Sequence, residues 1–389
     1  MTGLCTRVCA AVASAMLVPW SAGSAGPPQA PVPQVEMADT PEGGIQPQAV
    51  VDGAGTIHLL YFKGQPGGGD LFYVHRKAGA GEFSAPLPVN SQAGAAIATG
   101  SVRGGQIALG RNGWIHVAWN GSKAIDRNGV SLTPMWYARL PPGGRTFETQ
   151  RAIGRQTRYL DGGGSIAADR TGQVHVIWHA DGTQDGEPHR RIYVATSRDD
   201  GARFAPERAF AIEGGACGCC GVESLADSAG RLHLLYRSAG AMVHRDAMWL
   251  MIGPQGASAP IRLQPWELAA CPMTTFALAQ GPDGIVAAWE TQQQIYSAML
   301  TPGRKQVSSV TPMDGTGVRK HPSVAINSDG DRLTAWTEDT AWARGGSVAW
   351  QLQDRAGQRL AAGANAGSVP AWGLVSAVAR PGGSFVIIH

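Results

Sequence analysis

One pattern returns along this chain at intervals of 46 to 59 residues: a short apolar run, a turn closing on glycine, and a second apolar run ending on an aromatic residue. It reads "QAVVDGAGTIHLLY", "QIALGRNGWIHVAW", "SIAADRTGQVHVIW", "ESLADSAGRLHLLY", "FALAQGPDGIVAAW" and "SVAINSDGDRLTAW", with turn glycines Gly55, Gly113, Gly172, Gly230, Gly284 and Gly330. A seventh copy, "SAVARPGGSFVIIH" around Gly383, ends the chain. A unit of this size cannot bury both of its faces alone, and a period near fifty built from turn-rich strands means stacked propeller blades. The expected fold is all-β: a single β-propeller of six or seven four-stranded blades, with seven favoured by the repeat count. Each quoted pair supplies the two inner strands, and stretches such as "RIYVATS" supply the third. The last copy holds only two strands, so the N-terminal "PVPQVEM" is expected to complete that blade and close the ring.

The recurring aromatics, Tyr61, Trp119, Trp178, Tyr236, Trp289 and Trp336, read as core residues between blades. Four of the second strands also carry a histidine at one position: His58, His116, His175 and His233. Equivalent positions in different blades lie on separate radial sheets and cannot meet at one ion, so these rings are expected to pack or to hydrogen-bond between strands. With 53 Gly and 25 Pro the chain has the turn residues that such a fold needs, and no long helical period competes.

Arg7, the apolar run "AAVASAMLVPW" and the small-residue stretch "SAGSAG" have the layout of a signal peptide over residues 1–25, cleaved near Ala25. Residues 26–389 are then one exported domain, periplasmic or secreted. The run is too short to span a bilayer comfortably and no later segment is longer, so no transmembrane segment is expected. A net charge of +3 with 16% charged residues and no basic block excludes nucleic acid as a partner. A monomer with a small-molecule or glycan ligand is expected.

Removing the leader takes away Cys5 and Cys9 and leaves Cys217, Cys219, Cys220 and Cys271. Cys217 and Cys271 each precede a turn glycine by thirteen residues, Gly230 and Gly284, so they occupy matching entries to consecutive blades. Three readings stay open. Cys271 could form a disulfide with one of the trio, closing a long loop worth about 2 to 4 kcal/mol. The loop "ACGCCG" could instead hold copper or zinc, with Cys271 and Met273 of "ACPMTT" as further soft ligands. A labile thiol–disulfide pair is the third. Arg103, Arg158, Asp161, Arg319 and His321 sit at neighbouring strand entries; His321 is the candidate extra ligand or proton carrier, against the plainer reading of a surface histidine. Trp266 walls the pocket or packs between blades.

After the third strand of the third repeat comes "SRDDGARF", which resembles the Asp-box of the sialidase (neuraminidase) superfamily, with Ser197, Asp199 and Gly201 at the matching positions. The resemblance implies a sialidase-like propeller in which this turn lies away from the active centre. It also implies an exo-sialidase type of glycoside hydrolysis, with a tyrosine nucleophile, a glutamate, an acid/base aspartate and three arginines that clamp a carboxylate. "GVESLADSAGRLHLLYR" is similar to the family's glutamate strand, which gives Glu223 and Arg237 those roles, with Asp161 as the acid/base candidate. The chain departs from the pattern elsewhere. "GGIQPQAVV" has no arginine where the family opens its first blade, and the last tyrosine is Tyr296, ahead of Arg304 and Arg319. The expectation is a sialidase-like propeller without sialidase turnover, whose cysteine-rich site binds metal, works as a redox pair or braces the fold; an active exo-sialidase and a purely ligand-binding propeller are the alternatives.

Overall fold

The computed structural model describes residues 1–3, 31–100, 102–122, 124–125, 129, 131–155, 157, 160–182, 184, 186–210, 214–302, 311–314 and 317–389. The leader, apart from residues 1–3, lies outside the described residues, as do Arg158 and Arg304. Contacts separate Met1–Val32 from Pro33–His389, and the second unit is the propeller.

Seven sheets make seven blades. Their innermost strands are Ile45–Val51, Gln106–Leu109, Ser165–Ala168, Glu223–Ala226, Phe276–Gly281, Arg319–Ile326 and Ser376–Ala379. In the first six blades a second and a third strand follow in antiparallel order, and a short or long fourth strand closes the outer edge. In the seventh, Val35–Ala38 pairs with Phe385–Ile388, so the N-terminus does close the ring. Its direction refines the expectation. The pair is parallel, whereas third strands elsewhere run antiparallel to the second. Val35–Ala38 therefore runs in the sense of a fourth strand laid straight onto the second, which lets the chain continue directly into the innermost strand of blade 1.

The recurring aromatics are all buried, none more than 3% exposed. They stand between adjacent sheets, where a single large ring fills the wedge between two blades and removes its apolar area from water at about 25 cal/mol per Å². The histidines hydrogen-bond across strands as expected: His58 to the Tyr73 hydroxyl at 2.6 Å, His116 to the Tyr137 hydroxyl at 2.8 Å, and His175 to Thr196 at 2.9 Å. His233 is held by Asp227 at 3.0 Å and accepts the Trp249 indole N–H at 3.2 Å.

Neighbouring blades are tied by side chains on their innermost strands. Ser224 bonds Ser165 at 2.8 Å, Ser323 accepts the Ala377 N–H at 2.9 Å, and Ser376 accepts the Ala49 N–H at 3.0 Å. The Asp-box of blade 3 is a folded turn. Ser197 Oγ accepts the Gly201 N–H at 2.9 Å and donates to Asp199 at 2.8 Å, while Asp199 accepts the Arg203 N–H at 2.9 Å. These bonds, the Arg203 backbone first, hold the Asp199 carboxyl down at about 2. Gly201 has φ +75, and a Cβ there would lie 1.8 Å from the Tyr137 hydroxyl, so no other residue fits. The box follows a third strand and therefore sits on the face opposite the strand entries.

Candidate functional site

Each innermost strand enters from one face of the propeller, and the loops between second and third strands return to that same face. The cysteine loop lies there, just ahead of Glu223–Ala226. The Cys217 N–H is bonded to Arg237 O at 2.9 Å, and the Gly221 N–H to Thr274 O at 2.9 Å, so both ends of the loop are pinned between blades 4 and 5. The sulfurs of Cys217, Cys219 and Cys220 all lie within 4.8 Å of one another, and Cys217 and Cys219 approach to 3.4 Å. Cys217 and Cys220 are buried under Ala239, with Cys219 at the margin.

Cys271 does not join them. It is exposed and stands apart from the three clustered sulfurs. Matching sequence offsets place Cys217 and Cys271 at equivalent entries, but the two entry loops diverge: the trio folds inward beneath Ala239, while residues 267–271 run over the surface before the chain turns in at Pro272. Met273 also stays outside the trio. It lines a shallow cleft with Lys320, His321, Trp342 and Trp372.

Around the trio stand three guanidiniums. Arg237 is 1% exposed; its Nε donates to Thr274 Oγ1 at 2.9 Å, one terminal nitrogen to Arg245 O at 2.5 Å and the other to Glu290 O. Its plane lies over Trp266 at 4.9 Å, so Trp266 is the floor beneath this arginine. Thr274 passes the polarity on, donating to Cys220 Sγ at 3.5 Å. Arg245 pairs with Glu187 at 2.7 Å, and Glu187 accepts the Gly218 N–H at 2.6 Å. Arg190 packs against Gly218, where a Cβ would lie 3.2 Å from its Cζ. Nε of Arg245 and both Nε and one terminal nitrogen of Arg190 are buried without a hydrogen-bond acceptor. Burial opposes charge on Cys220, but hydrogen bonds from Cys217 and Cys219, the Arg237 charge and Thr274 outweigh it and hold this thiol well below the ordinary thiol range. His179 fixes the loop from blade 3, its Nε2–H donating to Cys220 O at 2.9 Å.

A channel of about 300 Å³ runs down the axis beside this loop. In six blades its wall includes a residue of one register: Gln48, Gln106, Glu223, Ala277, Ser323 and Ser376, each paired with the residue before the core aromatic or, in blade 7, with Ile388; the blade 3 counterpart, Ser165, is buried on Ser224 instead. Glu223 is the one carboxyl in that ring. It has no hydrogen-bond or ionic partner among the described residues, and desolvation pushes its carboxyl up to about 8. His321 borders the channel too. It is buried rather than on the surface, bonded to Thr275 at 3.3 Å, and burial, with help from Lys320, pushes it down to about 3.

The residues assigned by the sialidase resemblance are thus spread apart in role. Glu223 faces the channel, Arg237 spends its donors on three protein acceptors, and Asp161 pairs with Arg103 at 2.9 Å on the surface. Arg319 repeats the Arg237 arrangement in blade 6, bonded to Glu338 at 3.1 Å and Met313 O at 3.1 Å over the Trp336 ring. Glu187, Arg190 and Arg245 escaped the sequence reading. They come from loops between second and third strands, far from the cysteines in sequence, and only the shared face could have pointed to them.

No family model matches this chain, and no curated protein matches it. Solved structures do, as propellers. A lectin from Burkholderia pseudomallei aligns at TM-score 0.63 and 13% identity over 87% of this chain and 90% of its own. A protein of unknown function from Dyadobacter fermentans aligns at TM-score 0.53 and 13% identity, covering 86% of this chain and 97% of that one. A variant of the Aleuria aurantia lectin in complex with α-methyl-L-fucoside aligns at TM-score 0.50 and 10% identity, covering 83% and 95%. At such identities the likeness is one of fold: the chain is a seven-bladed propeller, similar in fold to these propeller structures.

Proposed function

We propose that this protein is an exported soft-metal-binding propeller, with Cys217, Cys219 and Cys220 as a thiolate site for copper(I), and that it does not turn over sialosides. The observation that carries the reading is the convergence of three sulfurs within 4.8 Å beside buried nitrogens of Arg190 and Arg245 that lack acceptors. Metal–sulfur bonds of about 2.3 Å separate the sulfurs of one centre by about 4 Å, which small side-chain rotations reach from this arrangement. Thiolates select copper(I) and zinc by softness. Three thiolates complete a trigonal copper(I) centre, whereas a zinc tetrahedron needs a fourth ligand brought in from solvent. A copper(I) trithiolate carries two negative charges, and Arg190, Arg237 and Arg245 set three positive ones around it, with Glu187 paired to Arg245 and Asp181 to Arg190. Donors without acceptors in the free protein would find them on the sulfurs, the outer-shell support that metal sites require.

The test is metal analysis after copper(I) loading under a competing chelator, with the same protein offered zinc. Stoichiometric copper that is lost in Cys220→Ser supports the site. Two thiols lost to a Cys217–Cys219 disulfide, with no metal retained, supports the redox reading instead. Absence of sialidase turnover is tested with a fluorogenic sialoside; appreciable hydrolysis that disappears in Glu223→Gln would overturn it. A glycan-binding role has one local observation behind it: Trp342, 63% exposed, meets Trp372 edge to face at 4.5 Å on the entry face, an aromatic pair on which a sugar ring could stack.

A further inference from the structure

The channel mouth is built from strained residues. Gln46 is 2% exposed; its amide nitrogen donates to Ala98 O at 2.7 Å, and its Oε1 is packed against Gly104 of blade 2. The residue is held there at a cost. Gln46 has φ +54 ahead of Pro47, at a break in strand register between Ile45 and Gln48. A non-glycine residue in that conformation, before a proline that disfavours it, is strained, and such strain collects at working sites. His321 repeats the device in blade 6, one blade removed from blade 1, with φ +51 ahead of Pro322 at the break between Lys320 and Ser323. Below them the Glu223 carboxyl faces the channel without a partner. The described lining residues contain no lysine or arginine, and Glu223 and His321 are the titratable ones that the seven innermost strands turn to the channel. The nearest guanidinium on blade 4, Arg237, is turned away to Thr274, Arg245 O and Glu290 O.

We propose that the central channel is a binding site for a small organic ammonium ion, its charge met by the Glu223 carboxylate and its carbon body lying on the alanine and valine side chains of the innermost strands. A cavity with one unpaired carboxyl and no lysine or arginine in its described wall suits a positively charged donor and rejects a carboxylate. The about 300 Å³ available takes a chain of a few carbons with its ammonium group. Because desolvation pushes the Glu223 carboxyl up to about 8, the cation must displace its proton on entry, which returns to solvent. His321, held neutral by burial, adds no competing charge across the same range.

The proposal stands independently of the metal site and is tested with n-butylammonium on the full chain, followed by saturation-transfer NMR and calorimetry, with n-butanol and butyrate as isosteres. Saturable binding of the ammonium is expected, tightening about tenfold per pH unit from pH 6 to 8 and levelling above, since each bound cation requires one ionised carboxyl. Glu223→Gln should weaken it at least tenfold and flatten the pH profile, and butanol and butyrate should bind far more weakly. Binding that is equal for the alcohol and the ammonium, insensitive to pH, or unchanged in Glu223→Gln would overturn the proposal. The wild-type pH profile decides alone if the variant does not fold.

Discussion

Glu223→Gln should stabilise the protein, and by an amount that depends on pH. In the folded state desolvation pushes the carboxyl from its ordinary 4.5 up to about 8. Between those two values the folded chain holds a proton that the unfolded chain has released, so stability is highest below pH 4.5 and falls as pH rises toward 8. At about 1.4 kcal/mol per pH unit the cost reaches about 3 kcal/mol at pH 7 and about 5 kcal/mol above pH 8. Glutamine removes the titration and is sterically suited, since Gln48 and Gln106 already occupy the matching register in blades 1 and 2. Urea unfolding of both proteins from pH 4 to 9 reads the difference: near zero at pH 4, with the variant ahead by about 2 to 5 kcal/mol at pH 8. Parallel stability curves, or a variant weaker at every pH, would show that Glu223 is ionised and satisfied in the folded protein.

Arg237→Met leaves Thr274 Oγ1, Arg245 O and Glu290 O without their donor and should cost about 3 to 5 kcal/mol in unfolding free energy, besides weakening copper(I) in a chelator competition. Asp199→Ala opens the Asp-box and should lower stability by about 1 to 2 kcal/mol, yet leave metal stoichiometry untouched because the turn lies on the opposite face. Removing residues 33–38 takes the third strand from blade 7 and exposes the edge of Phe385–Ile388; early proteolysis at blades 1 and 7 and a lower melting temperature are expected. Metal retention should fall as pH drops from 7 to 5, since protons compete for the three sulfurs, and a chelation assay follows it directly.

The blades were legible because their cause is local and repeated. A turn glycine, an alternating strand and a buried aromatic recur within fourteen residues, and each copy needs only its neighbours. The reversed sense of Val35–Ala38 was not legible, since a four-residue strand carries no mark of direction. Cysteine spacing located the trio at a blade entry but misplaced Cys271, because equal offsets from a turn do not fix the path of an irregular entry loop. The guanidiniums came from other loops. His321 looked like a surface residue in "VRKHPS", yet the register break at Lys320 turns it inward.

The central claim is that three thiols share one metal. Copper and free thiols should be counted together in protein loaded with copper(I) and then exposed to a maleimide in the native state. The account predicts one copper per chain, with Cys271 labelled and Cys217, Cys219 and Cys220 protected until the metal is stripped. Full labelling of the trio in the presence of copper, or no copper retained with the thiols reduced, would contradict it.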